Sequence, residues 1–266
     1  MRKWNQTRYN NYSNRKKRNI NYKRLLLSLG FLCIITLMSM AYGSFFAIED
    51  IQVRRNKNIS TEEILAAIDF YIDTNLLAVR SEEVKHALQE TIPIEDVIVR
   101  YRLPHTLILE VKEREISAAL NYLHGFALID SKGYVVKLVS RLENYTIPVV
   151  TGLNLVDAKV AEKPIIQQNM VHFKALLELI DCLKPILQEL SEINLVIDKN
   201  HEAAFYLYTL DGYQVFLKEY DEEKIKILQE LIVDIRKKCL GKGLLDISHN
   251  TPIFKPFQIE TGEERR

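Results

Sequence analysis

Residues Leu25 to Phe46 read LLLSLGFLCIITLMSMAYGSFF, a run of 22 residues without a charge. At about 1.5 Å per residue, a helix of this length crosses a hydrocarbon core of roughly 30 Å. Lipid offers the backbone no hydrogen-bonding partners, so a single crossing has to satisfy every N–H and C=O internally, and a continuous helix does so. The rest of the chain must therefore be arranged on one side or the other of this segment.

The flanks set its direction. Residues 1 to 24 contain Arg2, Lys3, Arg8, Arg15, Lys16, Lys17, Arg18, Lys23 and Arg24 and no Asp or Glu. Juxtamembrane cations hold such an end in the cytoplasm, with Arg15, Lys16, Lys17, Arg18, Lys23 and Arg24 the principal topogenic residues and Leu25 and Phe46 the ends of the anchor. Nine of the chain's 36 Lys and Arg precede Leu25 while all 35 Asp and Glu follow it, so the body carries a net charge of about −8. The expectation is a type II single-pass protein with residues 1–24 inside, 25–46 in the bilayer and the remainder outside.

Two other readings bear on this end. Ala41-Tyr42-Gly43 before Ser44 has the small-x-small form of a signal-peptidase site, but the basic region and the apolar run are both long for a cleaved signal peptide. Trp4, Tyr9, Tyr12 and Tyr22 interleave the cations, as in segments that bind nucleic acid or anionic lipid. Setting topology already accounts for those cations, so a membrane partner and no nucleic acid is expected. The Asn- and Lys-rich tail has the composition of a disordered segment.

A body of about 220 residues is more than one small core organises, so two domains are expected. Glu49 to Arg54 alternates as a strand, with Ile51 and Val53 on one face. Ser60-Thr61-Glu62-Glu63 is a capping box ahead of Ile64, Leu65 and Ile68. A second helix starts at Ser81 with Val84, Ala87 and Leu88 inward, and Pro93 closes it. Asp96–Arg102 and Thr106–Lys112 then form a hairpin around Leu103-Pro104-His105. The order strand, helix, helix, strand, strand predicts an α+β unit of three strands with two helices on one face.

This order directly after a signal anchor resembles a POTRA domain. The stretch Val99 to Arg114 is similar to the closing hairpin of the FtsQ/DivIB family of bacterial cell-division proteins. In that family the hairpin ends in Glu-Arg-x-Pro-x-Ala; Glu113, Arg114 and Ala118 match, Ile116 stands where Pro is usual, and Asp73-Thr74 replaces a Gly common between the helices. Leu128-Ile129-Asp130-Ser131-Lys132-Gly133 resembles a family Asp-x-x-Gly turn, and Ile147-Pro148-Val149-Val150-Thr151-Gly152 its Leu-Pro-x-Leu-x-Gly.

Beyond these motifs, Ile165 to Leu190 is expected to be a long amphipathic helical segment with Met170, Phe173, Leu176, Leu177 and Ile180 on its stripe, kinked or restarted at Pro185. Strands follow at Ile193–Ile197, Ala204–Tyr208 and Tyr213–Leu217. A helix over Asp221–Leu240 is then closed by Gly241 and Gly243, and a strand over Leu244–His249 leads into Thr251–Phe257. The resemblance implies a POTRA domain at 47–117, a mixed α+β domain with a mainly antiparallel sheet at 118–259, and a loose tail at 260–266.

No catalytic motif stands out. His86, His105, His124, His172, His201 and His249 show no metal-ligand spacing, and there is no nucleophile elbow or phosphate loop. The pairs Glu62-Glu63, Glu82-Glu83 and Glu222-Glu223 each open a helix, where the dipole favours anions, rather than forming a two-carboxylate site. Cys182 and Cys239 are open to a bridge or to two buried thiols. No enzyme and no cofactor is expected.

Strand edges carry the interaction chemistry instead, since unpaired backbone groups accept a partner strand. Ile247, His249, Thr251 and Phe254 are the expected partner-binding residues. The resemblance implies a divisome scaffold that binds two small single-pass coiled-coil proteins, FtsB/DivIC-like and FtsL-like, at the septum and acts indirectly on septal peptidoglycan synthases. The competing reading is a POTRA-bearing accessory factor for polypeptide secretion or insertion, which lacks support from any series of barrel strands after the POTRA unit. Protease added to spheroplasts should digest the body and leave a small protected N-terminal fragment; a mature N-terminus at Ser44 would refute the anchor.

Overall fold

The computed structural model describes residues 22–42, 44–143, 145–167, 170–249 and 251–257. The cations Arg15, Lys16, Lys17 and Arg18 and the tail at 260–266 lie outside the described residues. The first helix, α1 (Tyr22–Tyr42), includes Lys23, Arg24 and Leu25, and its segment Tyr22–Met40 is long and apolar enough to cross a membrane. Its two hydroxyl side chains nearest the middle bond back to the preceding turn, Ser28 to Leu25 O at 2.9 Å and Thr36 to Leu32 O and Cys33 O, so neither is left unpaired.

The helix ends short of the expected boundary. Ser44–Phe46 is a single 3₁₀ turn, and Phe46 packs against the core of the next unit while its carbonyl accepts from Leu76 N at 2.7 Å. Phe46 is therefore the first residue of the folded body and not the last of the anchor, because a ring that buries against Leu76 and its neighbours cannot also face lipid.

The next unit has the expected order: β1 (Asp50–Arg54), α2 (Thr61–Ala66), α3 (Ser81–Thr91), β2 (Ile94–Arg102) and β3 (Thr106–Glu113). β3 lies centrally, parallel to β1 and antiparallel to β2. Ile64, Val84 and Leu88 of the helices meet Leu107, Leu109 and Val111 of β3, all buried. Ser60 Oγ caps α2 by accepting from Glu63 N at 3.1 Å. Between the helices Asp73 takes φ +63°, the left-handed conformation that explains why Gly is common there and that Asp tolerates better than most residues.

The second sheet has nine strands. They are β4 (Ala118–Tyr122), β5 (Gly125–Ile129), β6 (Val135–Val139), β7 (Val149–Thr151), β10 (Leu190–Ile197), β11 (Ala203–Thr209), β12 (Gln214–Leu217), β13 (Gly243–Asp246) and β14 (Ile253–Pro256). A separate pair, β8 (Leu155–Asp157) and β9 (Ile165–Ile166), lies outside the sheet. The strand order is β14-β13-β12-β11-β10-β7-β4-β5-β6, with parallel contacts at β4–β7, β7–β10 and β12–β13 and antiparallel ones elsewhere.

Two helices, α4 (Met170–Cys182) and α5 (Glu222–Lys237), carry the β9-to-β10 and β12-to-β13 connections and share one core with the sheet. Tyr220 joins them: its hydroxyl donates to Ala175 O at 2.7 Å, its ring meets Phe205 edge-on, and burial pushes its pKa up to about 12.

Several expectations change here. The segment 165–190 is not one helix, because Ile165–Ile166 pairs with β8 and the helix runs only from Met170 to Cys182. Met170 is exposed, and Leu179 and Leu183 complete the buried stripe. The last helix ends at Lys237, before the glycines, so Cys239 is exposed beyond it at φ +49°; Cys182 is half-buried and both thiols are free. Gly152 explains its motif, since it sits at φ +85° where a Cβ would run into Leu195 O.

The Glu-Arg pair at the end of β3 fastens the units together. Glu113 turns back into the first unit, where its carboxylate accepts the backbone N–H groups of Lys57, Asn58 and Ile59 and the Asn58 side-chain amide. Burial pushes its pKa up, but these bonds outweigh that and hold it below the usual value. Arg114 reaches the other way, to Asp130 at 2.7 Å, with both side chains only 6% exposed, and lies over the Tyr134 ring at 3.9 Å. Asp130 also accepts from Lys132 N and Tyr134 N, which closes the β5–β6 turn. Lys132 then returns to Glu95 of β2 at 3.0 Å, a carboxylate also bound by Lys112 at 2.8 Å and held below its usual range by both.

Arg114→Ala leaves the buried Asp130 carboxylate without its counter-charge, which should cost about 3–5 kcal/mol in urea unfolding of the detergent-solubilised chain followed by circular dichroism. Glu113→Gln should cost about 1–3 kcal/mol at neutral pH. Because the folded Glu113 pKa lies below its ordinary 4.5, this contribution is fully present above pH 4.5 and is lost as the pH falls through the lower folded value. Parent and Glu113→Gln unfolding curves should therefore converge in acid, and a gap that persists at low pH would refute the assignment.

Candidate partner-binding edge

The free ends of the large sheet are β6 and β14. At the C-terminal end, β13 is not an edge strand: β12 lies parallel to it on one side and β14 antiparallel on the other, with Leu245 opposite Phe254 and Asp246 opposite Ile253. Ile247 follows β13 into the core, 5% exposed, and its N–H donates to Phe216 O at 3.0 Å. It cannot meet a partner, because its side chain and its donor are both engaged inside the sheet. The expected edge over Leu244–His249 is thus one strand too far in.

A short turn carries the chain from β13 to β14. Asp246 accepts from Ser248 N at 3.0 Å and Ser248 Oγ at 2.6 Å. Burial raises the Asp246 pKa, but these bonds and the nearby His249 and Lys255 outweigh it, so the carboxylate titrates below its ordinary range. His249 and Thr251 are exposed on this turn, beside the strand rather than in its ladder.

The backbone of β14 can be sorted by register. Phe257 N donates to Lys242 O at 2.9 Å, so alternation along an antiparallel pair turns Lys255 and Ile253 toward β13. The outward groups are then the carbonyl of Pro252, the N–H and C=O of Phe254 and the carbonyl of Pro256. Both flanking outward positions are proline and lack an N–H. The edge therefore offers one donor and three acceptors, with prolines guarding it on either side against indiscriminate pairing.

Side chains fix its position. The Phe254 ring turns to the helix-bearing side, 6.5 Å from the Tyr213 ring, and occupies the space a Cβ on Gly243 would need, since that atom would lie 2.7 Å from Phe254 Cζ. On the other face a cross-strand row runs Asn194, Tyr206, Phe216, Asp246, Ile253, in which the Tyr206 and Phe216 rings lie 4.7 Å apart, tilted by 36°, and Ile253 is 44% exposed at the rim. Of the expected residues the structure brings Phe254 to the edge, sets His249 and Thr251 beside it, and buries Ile247. The Pro252-x-x-x-Pro256 spacing was the sequence signal for the guarded edge.

Among the described residues two other features were candidates for a site. The cleft of about 930 Å³ between the two sheets is lined by as many carboxylates as cations, and Glu110 there is already bracketed by Arg55 and Arg100. Among the described residues no group of three or more His, Cys, Asp or Glu could hold a metal ion. Glu62-Glu63, Glu82-Glu83 and Glu222-Glu223 each occupy the first turn of a helix.

Fold and edge define an apolar N-terminal helix followed by a POTRA module and a sheet domain with a guarded terminal edge. Residues 46–114 match the FtsQ-type POTRA domain, and residues 118–247 match the C-terminal domain of the cell division protein FtsQ/DivIB. The chain belongs to the FtsQ/DivIB family of cell-division proteins.

It is 29% identical to the cell division protein DivIB of Clostridium tetani over 52% of each chain. It is 31% identical to the cell division protein FtsQ of Syntrophotalea carbinolica over 48% of this chain and 46% of that one. The chain thus spans about half the length of these curated relatives. The solved extracytoplasmic domain of DivIB from Geobacillus stearothermophilus overlaps 40% of this chain and 80% of its own at 19% identity and a TM-score of 0.28.

Proposed function

We propose that this protein is a membrane-anchored, non-enzymatic scaffold of the divisome, with residues 1–24 in the cytoplasm and both sheets outside at the septum. It captures small single-pass coiled-coil division proteins, FtsB/DivIC-like and FtsL-like, and through them couples septum assembly to septal peptidoglycan synthases. The observation that supports this most is the outer side of β14, where the N–H and C=O of Phe254 stand between two prolines at the end of a nine-stranded sheet.

A strand from the partner would pair with Phe254 and donate to the carbonyls of Pro252 and Pro256, and its side chains would lie over Ile253 on one face. Each ladder bond adds a net ~0.5–1.5 kcal/mol, so a short strand needs the adjacent apolar contacts as well. A partner shifted by one residue would turn its side chains to the opposite face and lose the contact over Ile253.

Two substitutions at one position separate ring from backbone. Phe254→Ala removes the ring and keeps the N–H; Phe254→Pro removes both. In protein shown by circular dichroism to stay folded, Phe254→Pro should capture the FtsB/DivIC-like partner about two- to tenfold more weakly than Phe254→Ala, the equivalent of one ladder bond. Equal capture by the two variants would exclude strand addition at β14.

A further inference from the structure

The POTRA module exposes seven large apolar side chains among residues 44–114, and they are not spread evenly. Phe45, Phe70, Ile72, Leu77 and Leu103, each between 41% and 59% exposed, belong to segments that meet at one end. Ile48 N donates to Thr74 O and Asp73 N to Ile48 O, Leu76 N donates to Phe46 O, and Glu49 N donates to His105 O, so the 70–77 loop and the 103–105 turn are both tied to the chain just after α1. The Phe45 and His105 rings stand 6.0 Å apart. Since β1 and β3 run away from this end and β2 runs back toward it, the end with the exposed apolar residues is the one nearest the helix.

The connection is short. α1 ends at Tyr42 and Phe46 is already in the POTRA core, four residue steps that reach at most about 14 Å even if fully extended. The interfacial layer outside each side of the hydrocarbon is about 5–8 Å deep, so even a fully extended connection would lift this end no more than about 6–9 Å clear of it when α1 crosses the bilayer, and the 3₁₀ turn over Ser44–Phe46 shortens that reach and keeps the end beside the headgroups. We infer that Phe45, Phe70, Ile72, Leu77 and Leu103 form a seat that inserts into the outer headgroup and acyl boundary and holds the POTRA module down on the membrane. This rests on the reading of α1 as a spanning helix.

The carboxylates Glu49, Asp69 and Asp73 lie on the same segments, so the seat works by apolar insertion and not by attraction to anionic lipid. Seating limits the swing of the module about the short connection. It also sets the height and direction from which β3 hands the chain to the second sheet.

The full chain, with Trp4→Phe to remove its one native tryptophan, would be placed in zwitterionic phosphatidylcholine vesicles brominated at upper acyl positions. Tryptophan would be introduced singly by Leu77→Trp, Leu103→Trp, Ile98→Trp and Phe31→Trp. Ile98 is equally exposed but lies roughly 15 Å farther along β2 at about 3.3 Å per residue, so it controls for the affinity of tryptophan for interfaces within the same module. Leu77→Trp and Leu103→Trp should be quenched several-fold more strongly than Ile98→Trp, and Phe31→Trp should be quenched as well. Quenching of Phe31→Trp alone overturns the seat and leaves the anchor standing. If Phe31→Trp also stays bright, the anchor fails and the seat with it.

Discussion

The architecture turns on a buried ion pair between two cores. Arg114 and Asp130 meet at 2.7 Å with almost no exposure, and the Lys132–Glu95 ion pair between the sheets springs from the turn that Asp130 closes. A pair of this kind contributes less through net attraction than through the penalty for separating it, because either charge left alone in a desolvated site is unfavourable by several kcal/mol. It therefore acts on orientation: the POTRA sheet and the nine-stranded sheet cannot rotate apart without exposing or orphaning a charge. The neighbouring Glu113 does the same within the POTRA module, fastening the β1–α2 loop through backbone donors.

This gives physical content to two short motifs. Glu-Arg at the end of the hairpin is a pair of opposed hooks, one for each sheet, and the Asp-x-x-Gly turn supplies the eye for the second hook. Gly152 and the left-handed Asp73 are similar cases, in which a backbone conformation rather than a side-chain chemistry accounts for the residue. All of them help to fix where the terminal edge lies relative to α1.

On the proposed reading, that control matters because the protein works by presenting an edge to a partner. The helix enters the POTRA module within a few residues, the Glu113–Arg114 clasp directs the second sheet, and α5 returns the chain to lay down β13 and β14 at the far edge. The edge offers a single outward donor, so its selectivity comes from position and register more than from the number of bonds. Prolines at 252 and 256 would be a defect inside a sheet; on an outer strand they restrict which partner can pair.

Local patterns in the sequence determined much of this. An uncharged run of helical length, a Ser60 cap and strands alternating in period two are statements about neighbouring residues, and the structure keeps them. Where a segment ended was decided by contacts made across the fold. Phe46 leaves the anchor because the POTRA core takes its ring, Ile165–Ile166 leaves the helical pattern because β8 takes its backbone, and Cys239 is exposed because α5 stops once its buried face is complete at Ile235. The partner edge shows the same division. Its residues could be read as a terminal strand with an aromatic, but whether β13 or β14 stands outermost is a matter of pairing between strands distant in the chain, and a period-two pattern carries no information about which side of a strand is already occupied.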